Sequence, residues 1–267
     1  TAVLYRNSQI PTRWVEAQQS CIAAHKDFEY KLWTDEMAEQ LIAERFPWFL
    51  RTYRAYPHAI QRADVLRYFV LYEFGGIYLD LDVVCVKSLG AFRNANFTAP
   101  KTYPVGVSND VLISRPKDPF AYHLITHLAG WQKWLFFKYA TVMFTTGPMF
   151  VTVQYSLYSA KSDITVLSPL VYGKYQKTDA AYLKHLHGSS WHGGDAKFIF
   201  WIENYGLATG GVVLLLALTA LTASSLWNQR MPSGQLWYQS LVMGAPRTGL
   251  VGIGTLPVST RRMHGAP

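Results

Sequence analysis

Asp80 and Asp82 stand one residue apart at the end of the apolar run Ile77-Tyr78-Leu79. A segment rich in β-branched and aromatic residues predicts a buried strand, and residues i and i+2 of a strand share a face. The two carboxylates are therefore expected to point the same way at the strand's carboxyl end, where open α/β sheets bind ligands. Carboxylates this close repel each other and lose hydration, and a divalent cation bridging a nucleotide diphosphate compensates them. An isolated Asp-x-Asp has a plainer reading as a solvated acidic turn.

The preceding residues supply a framework for the pair. Leu66, Phe69 and Val70 recur at helical spacing, and Gly75-Gly76 ends that periodicity where a left-handed cap is needed. Asp64 and Arg67, three residues apart, share one face of this helix. Further along, His185-Leu186-His187-Gly188-Ser189-Ser190-Trp191-His192-Gly193-Gly194-Asp195 has glycines on both sides of its centre and reads as a loop. A histidine beside Ser and Trp can supply a metal ligand and a phosphate contact together. Three histidines in eight residues are equally a solvated loop. Alternating helical and strand-like pieces as far as Tyr158 point to an α/β sandwich without internal repeats.

The 267 residues, 50% hydrophobic, are enough for one sizeable core and one globular domain. A net charge of +8 with a pI near 9.4 raises the question of nucleic acid. Lys and Arg, however, are scattered along the chain with no basic run or recognition motif, so nucleic acid is not expected as a partner. An anionic membrane or phospholipid-like acceptor accounts for the charge, and so does simple solubility. Trp131, Trp134, Phe136 and Phe137 alternate with Lys133 and Lys138, which fits either a lipid-facing surface or a mixture of core and rim.

From Leu207 to Trp227 no residue is charged, which meets the roughly 20 residues needed to span a bilayer. Trp201, Tyr205 and Trp227 suit interfacial belts, and the reading is a transmembrane helix over residues 206–228. Arg230, Arg247, Arg261 and Arg262 follow without any acidic residue, so the positive-inside bias puts the tail in the cytoplasm and residues 1–205 in the lumen. The tail, 229–267, lacks apolar periodicity and is expected to be disordered. Asn96-Phe97-Thr98 is a glycosylation sequon, usable on the luminal side. Cys21 and Cys85 have no metal-type spacing; a disulfide and two buried thiols both remain open. Residues 1–9 lack the apolar core of a signal peptide.

Arg62-Ala63-Asp64-Val65-Leu66-Arg67-Tyr68 in register with Tyr72-Glu73-Phe74-Gly75-Gly76-Ile77-Tyr78-Leu79-Asp80-Leu81-Asp82 resembles the glycosyltransferases with a DXD sugar-binding region, which include family 32 and the clostridial glucosylating toxins. Ile10-Pro11-Thr12-Arg13-Trp14, Tyr30-Lys31-Leu32-Trp33-Thr34-Asp35, Phe46-Pro47-Trp48-Phe49-Leu50, Gly106-Val107-Ser108-Asn109-Asp110, Thr146-Gly147-Pro148-Met149-Phe150 and Gly188-Ser189-Ser190-Trp191-His192-Gly193 look like the catalytic subunits of fungal mannosyl-inositol phosphoceramide synthases. The similarity covers residues 10–205. Members carry a first strand of the type Ile-Pro-Lys-Ile-Ile-His-Gln, which Thr1–Gln9 does not match.

The resemblance implies a GT-A type, Rossmann-like α/β domain and a metal-dependent, retaining mannosyltransferase moving mannose from GDP-mannose to inositol phosphoceramide. It further implies a Golgi membrane location, Mn²⁺ or Mg²⁺ and a regulatory membrane subunit. By it, Asp82 and His192 ligate the metal, Asp64 and Arg67 hold donor hydroxyls, and Asp80 bridges sugar and ribose. Ser190 and Trp191 contact the diphosphate, and Asn109 and Asp110 approach the reacting face; a turn pair after Ser108 is the plainer reading of those two. Protein-linked glycans are an alternative acceptor. Two other classes also fit parts of the pattern. A haloacid-dehalogenase-type phosphatase would use Asp80 as nucleophile and Asp82 as acid, and a membrane protein without activity would only bind a partner.

Overall fold

The computed structural model describes residues 10, 12–103, 105–175, 178–186 and 219; all but the last belong to the compact unit Thr1–Glu203. In chain order the elements are α1 (Thr12–Ala24), α2 (Asp35–Arg45), α3 (Pro47–Ala55), α4 (Ala59–Phe74), β1 (Gly76–Leu79) and β2 (Val83–Cys85). There follow β3 (Phe97–Pro100), β4 (Val111–Ser114), α5 (Pro119–His127), α6 (Lys138–Thr145), α7 (Pro148–Leu157), β5 (Ile164–Leu167), α8 (Pro169–Tyr172) and β6 (Leu183–His185). The fold is α/β with a mixed four-stranded sheet ordered β1-β4-β3-β5, in which only β3 and β5 run parallel. β2 and β6 form a separate antiparallel pair.

Alternation along the strands divides the core between the two faces of the sheet. Tyr78 and Leu112 pack into a cluster with Leu66, Phe69 and Phe49 from the helices, whereas Ile77, Leu79, Val111 and Ile113 pack with Cys21, Val83, Tyr172 and Leu183. α4 is not a half-exposed amphipathic helix: Gln61 and every residue from Ala63 to Leu71 are buried. It ends where the sequence predicts. Gly75 at φ 67° and Gly76 at φ 91° take backbone that side chains rarely adopt, and a Cβ on Gly75 would stand 2.6 Å from the Pro116 ring. The reversal sends β1 back beside α4 and brings its carboxyl end level with the helix's middle turns.

Cys21 of α1 and Cys85 of β2 form a disulfide, Cα atoms 4.7 Å apart, which settles the choice left open by their spacing. Among the described residues no helix is long and apolar enough to cross a membrane. The stretch 207–227 and the tail 229–267 lie outside the described residues, Thr219 excepted.

Candidate active site

Because β1 and β4 are antiparallel, with Leu79 opposite Val111, the residues after β1 meet those before β4 at one sheet edge. The Asp80 amide donates to the Asp110 carbonyl at 2.8 Å. β5 ends at the same edge, since it runs parallel to β3, and leads through Ser168 into α8, Tyr172 and Lys174. Three aspartates, 80, 82 and 110, gather there.

Period-two alternation sends Asn109 and Asp110 to opposite sides. Asn109 turns toward α4, where its Nδ2 donates to Asp64 Oδ1 and to the Tyr68 hydroxyl, both at 3.0 Å. Asp64 also accepts from Thr146 Oγ1 at 3.0 Å and pairs with Arg67 Nη2 at 2.8 Å. The sequence reading gives Asp64 to donor hydroxyls; in the fold it is 4% exposed, with three donors on its oxygens, and it holds Arg67 and Asn109. Arg67, 3% exposed, sends its other terminal nitrogen to the Asn109 carbonyl and to Asp80, 3.3 Å from Oδ1. Its guanidinium carbon lies 4.7 Å from the centroid of the Tyr78 ring, and the Tyr78 hydroxyl donates to Asp80 Oδ1 at 2.9 Å. Arg67 is thus a buried clamp on Asp80.

The two carboxylates of Asp-x-Asp do not share an environment. β1 ends at Leu79, and Asp80-Leu81-Asp82 forms the turn into β2. Asp80 faces Arg67 and Tyr78, with its side chain 30% exposed. Asp82 faces β6: its carbonyl accepts from the Leu186 amide at 2.8 Å, and its Oδ2 lies 3.6 Å from His185 Nε2. Asp110 belongs to this second group, 3.1 Å from both His185 Nε2 and Lys174 Nζ. Its carboxylate also accepts from the Tyr172 hydroxyl and, at 2.7 Å, from Ser108 Oγ. Asn109 and Asp110 are therefore buried beside these groups and not a solvated turn.

Charge separates these aspartates further. Burial pushes the Asp80 carboxyl up to about 7; Arg67 opposes this, and the charges of Asp82 and Asp110 add to it. Burial works the same way on Asp110, but Lys174, His185 and Tyr172 overcome it and hold Asp110 well below the ordinary range. Asp110 in turn raises the Lys174 ammonium against the effect of burial. The result is one carboxylate held in its charged form by Lys174 and its hydrogen bonds, beside another that burial raises despite Arg67.

Among the described residues no three His, Cys, Asp or Glu side chains close around a metal position. Mg²⁺ and Mn²⁺ do not require such a cage when one or two carboxylates share them with phosphates and water, and Asp80 and Asp82 fit that donor set. His192, Ser190 and Trp191, given to the metal and the diphosphate by resemblance, lie outside the described residues.

The family model for the glycosyltransferase sugar-binding region containing the DXD motif matches residues 11–103. Mannosyl phosphorylinositol ceramide synthase CSH1 of Saccharomyces cerevisiae is 40% identical over 76% of this chain and 55% of its own. Inositol phosphoceramide mannosyltransferase 3 of Schizosaccharomyces pombe is 41% identical over 75% of this chain and 57% of its own, and inositol phosphoceramide mannosyltransferase 2 of the same yeast is 37% identical over 85% and 68%. The chain belongs to the inositol phosphoceramide mannosyltransferase family. It spans a little over half the length of the first two of these relatives.

The matched DXD region holds Asp64, Arg67, Asp80 and Asp82, and stops before the other half of the site. Lys174, Tyr172 and His185 are functional candidates that sequence reasoning missed. His185 lies inside the histidine-rich segment, yet nothing there marks it above His192. Lys174 carries no local signal; only Gly173, at φ 77° and too close to the Leu183 carbonyl to accept a Cβ, hints that this turn is held against β6.

Proposed function

We propose that this chain is the catalytic part of a retaining, metal-dependent mannosyltransferase that moves mannose from GDP-mannose to inositol phosphoceramide. We assign it a GT-A type domain held on a Golgi membrane by residues 206–228, with a regulatory membrane subunit as partner. The observation that carries the reading is the gathering of Asp80, Asp82 and Asp110 at one sheet edge, with Arg67 on Asp80 and Lys174 on Asp110 compensating them unequally. Breaking the bond between sugar and nucleotide builds negative charge on the leaving diphosphate, so a site that accepts extra positive charge is suited to the transition state. Mg²⁺ or Mn²⁺, when bound, supplies Lewis-acid stabilisation of that charge.

The chain's own residues set the geometry. Arg67 orients Asp80, whose exposed oxygens would accept from sugar or ribose hydroxyls; Asp82 would hold the cation, and by the family resemblance His192 would be its second protein ligand. By the same resemblance Ser190 and Trp191 would contact the diphosphate. Asp64 and Asn109 keep Arg67 from swinging out, and Asp110 keeps Lys174 charged beside the acidic pair. Retention by front-face attack needs no protein nucleophile.

Incubation of membranes carrying the chain with radiolabelled GDP-mannose and inositol phosphoceramide, with and without Mn²⁺, tests the reading. Cation-dependent labelling of the lipid is expected. Labelling of protein-linked glycans alone would move the acceptor, and an aspartyl-phosphate trapped at Asp80 would replace the reaction class with a phosphatase.

A further inference from the structure

Between the short 3₁₀ turn Leu128–Trp131 and α6, the chain runs Gln132-Lys133-Trp134-Leu135-Phe136-Phe137. Trp131 anchors this segment, its ring 5.8 Å from buried Phe150. The next aromatic residues do the opposite: Trp134 is 59% exposed, Phe136 86% and Phe137 50%. The turn that presents them is built. The Phe137 amide donates to the Leu135 carbonyl, the Leu135 amide donates to Thr141 Oγ1 at 3.0 Å, and the Thr141 amide returns to the Phe137 carbonyl at 2.9 Å. This i to i+2 closure forces Phe136 to φ 54°, a strained conformation for a residue with a bulky side chain. Strain kept to hold an apolar ring in water is unusual unless something receives the ring.

Charge indicates what receives it. Lys133 and Lys138 flank the rings, and no acidic residue occurs from Pro119 to Ser162, a stretch that also contains Lys161, His123 and His127. A projecting turn of Trp and Phe between lysines suits the interface of an anionic bilayer: aromatic rings settle at headgroup depth, and ammonium groups meet lipid phosphates. We infer that residues 133–138 form a membrane-docking finger that inserts Trp134, Phe136 and Phe137 into an anionic lipid surface. The inference rests on residues 133–138 alone and is independent of the sugar-transfer reading.

Both native cysteines lie in the Cys21–Cys85 disulfide, so single introduced cysteines can be labelled with an environment-sensitive fluorophore. The full chain carrying Phe136→Cys, or Trp134→Cys as a second site, is incorporated into vesicles of phosphatidylcholine with or without phosphatidylserine. Brominated lipid serves as the quencher, and the exposed Leu170→Cys as the control. Labels at 134 and 136 are expected to be quenched on phosphatidylserine vesicles and the label at 170 not. Lys133→Gln and Lys138→Gln should each lower the ratio of membrane-engaged to free finger by about fivefold. Equal quenching at 136 and 170 would overturn the inference. So would a label at 136 already shielded without lipid, which would show that another segment of this chain or a second copy covers the finger.

Discussion

Asp80 sits between a cation and two like charges, and the balance is readable as a pH effect. An aspartate in the unfolded chain ionises near pH 4, while burial and the neighbouring Asp82 and Asp110 hold Asp80 at about 7 in the fold against the pull of Arg67. Between these values the folded state keeps a proton the unfolded state has lost, so this group makes stability fall as pH rises. Asp80→Asn removes the fall. Its melting temperature should equal wild type relative to any constant offset below about pH 4, then gain on wild type up to about pH 7 and gain no more. A divalent cation should narrow the gap above pH 7, because it compensates the ionised wild-type pair; no change in the gap across pH 4 to 7 would show that Asp80 is not raised.

Asp82→Asn and Asp64→Asn separate chemistry from scaffolding. Asp82→Asn removes one charge and almost no volume, so it should abolish transfer while leaving the urea midpoint near wild type, a loss on the order of several kcal/mol of transition-state stabilisation. Asp64→Asn should instead destabilise by about 3 kcal/mol, because Arg67 remains buried without its 2.8 Å partner. Equilibrium urea unfolding with an unchanged slope measures that cost. The sequence placed Asp64 and Arg67 on one helix face because spacing fixes which residues of a helix meet. It could not show that Asn109 and Thr146 close over them, since those contacts join residues 45 and 82 positions apart.

The elements most legible in the sequence were those with a local cause. α4 and its glycine stop follow from apolar spacing and from the need for positive φ, and β1 follows from Ile77-Tyr78-Leu79. The Lys174–Asp110–His185 group was not legible, because it depends on β5, α8 and β6 reaching the same edge as β1 through sheet pairings. The disulfide ties that half of the molecule together by joining α1 to β2. Its closed loop spans a sequence separation of 64 residues, and by loop-closure entropy its loss should cost about 4 kcal/mol. Comparing Cys21→Ser/Cys85→Ser with wild type by denaturant unfolding checks this. A loss under about 1 kcal/mol would mean that the unfolded chain already holds these segments together.

At the scale of the whole chain, the proposed membrane span predicts which side of the bilayer the site occupies. Leu207–Trp227 has the length and apolarity of a span, and the following tail has arginines without acids, which favours a cytoplasmic tail and a luminal site. Two observations in the described unit fit an oxidising lumen: the Cys21–Cys85 disulfide and the sequon at Asn96. In the fold Asn96 is half-buried, its carbonyl accepts from the Arg115 amide, and Phe97 and Thr98 are buried in β3. A glycan there must be added before β3 closes against β4, so partial occupancy is expected. Carbonate at alkaline pH should leave the full-length chain in the membrane pellet, and truncation after Tyr205 should release it. In sealed vesicles a protease-protected band should carry a glycan shift that Asn96→Gln removes. Carbonate release of the full-length chain would sink the span, whereas a pelleted chain whose Asn96 domain is digested from outside would keep the span and reverse the orientation.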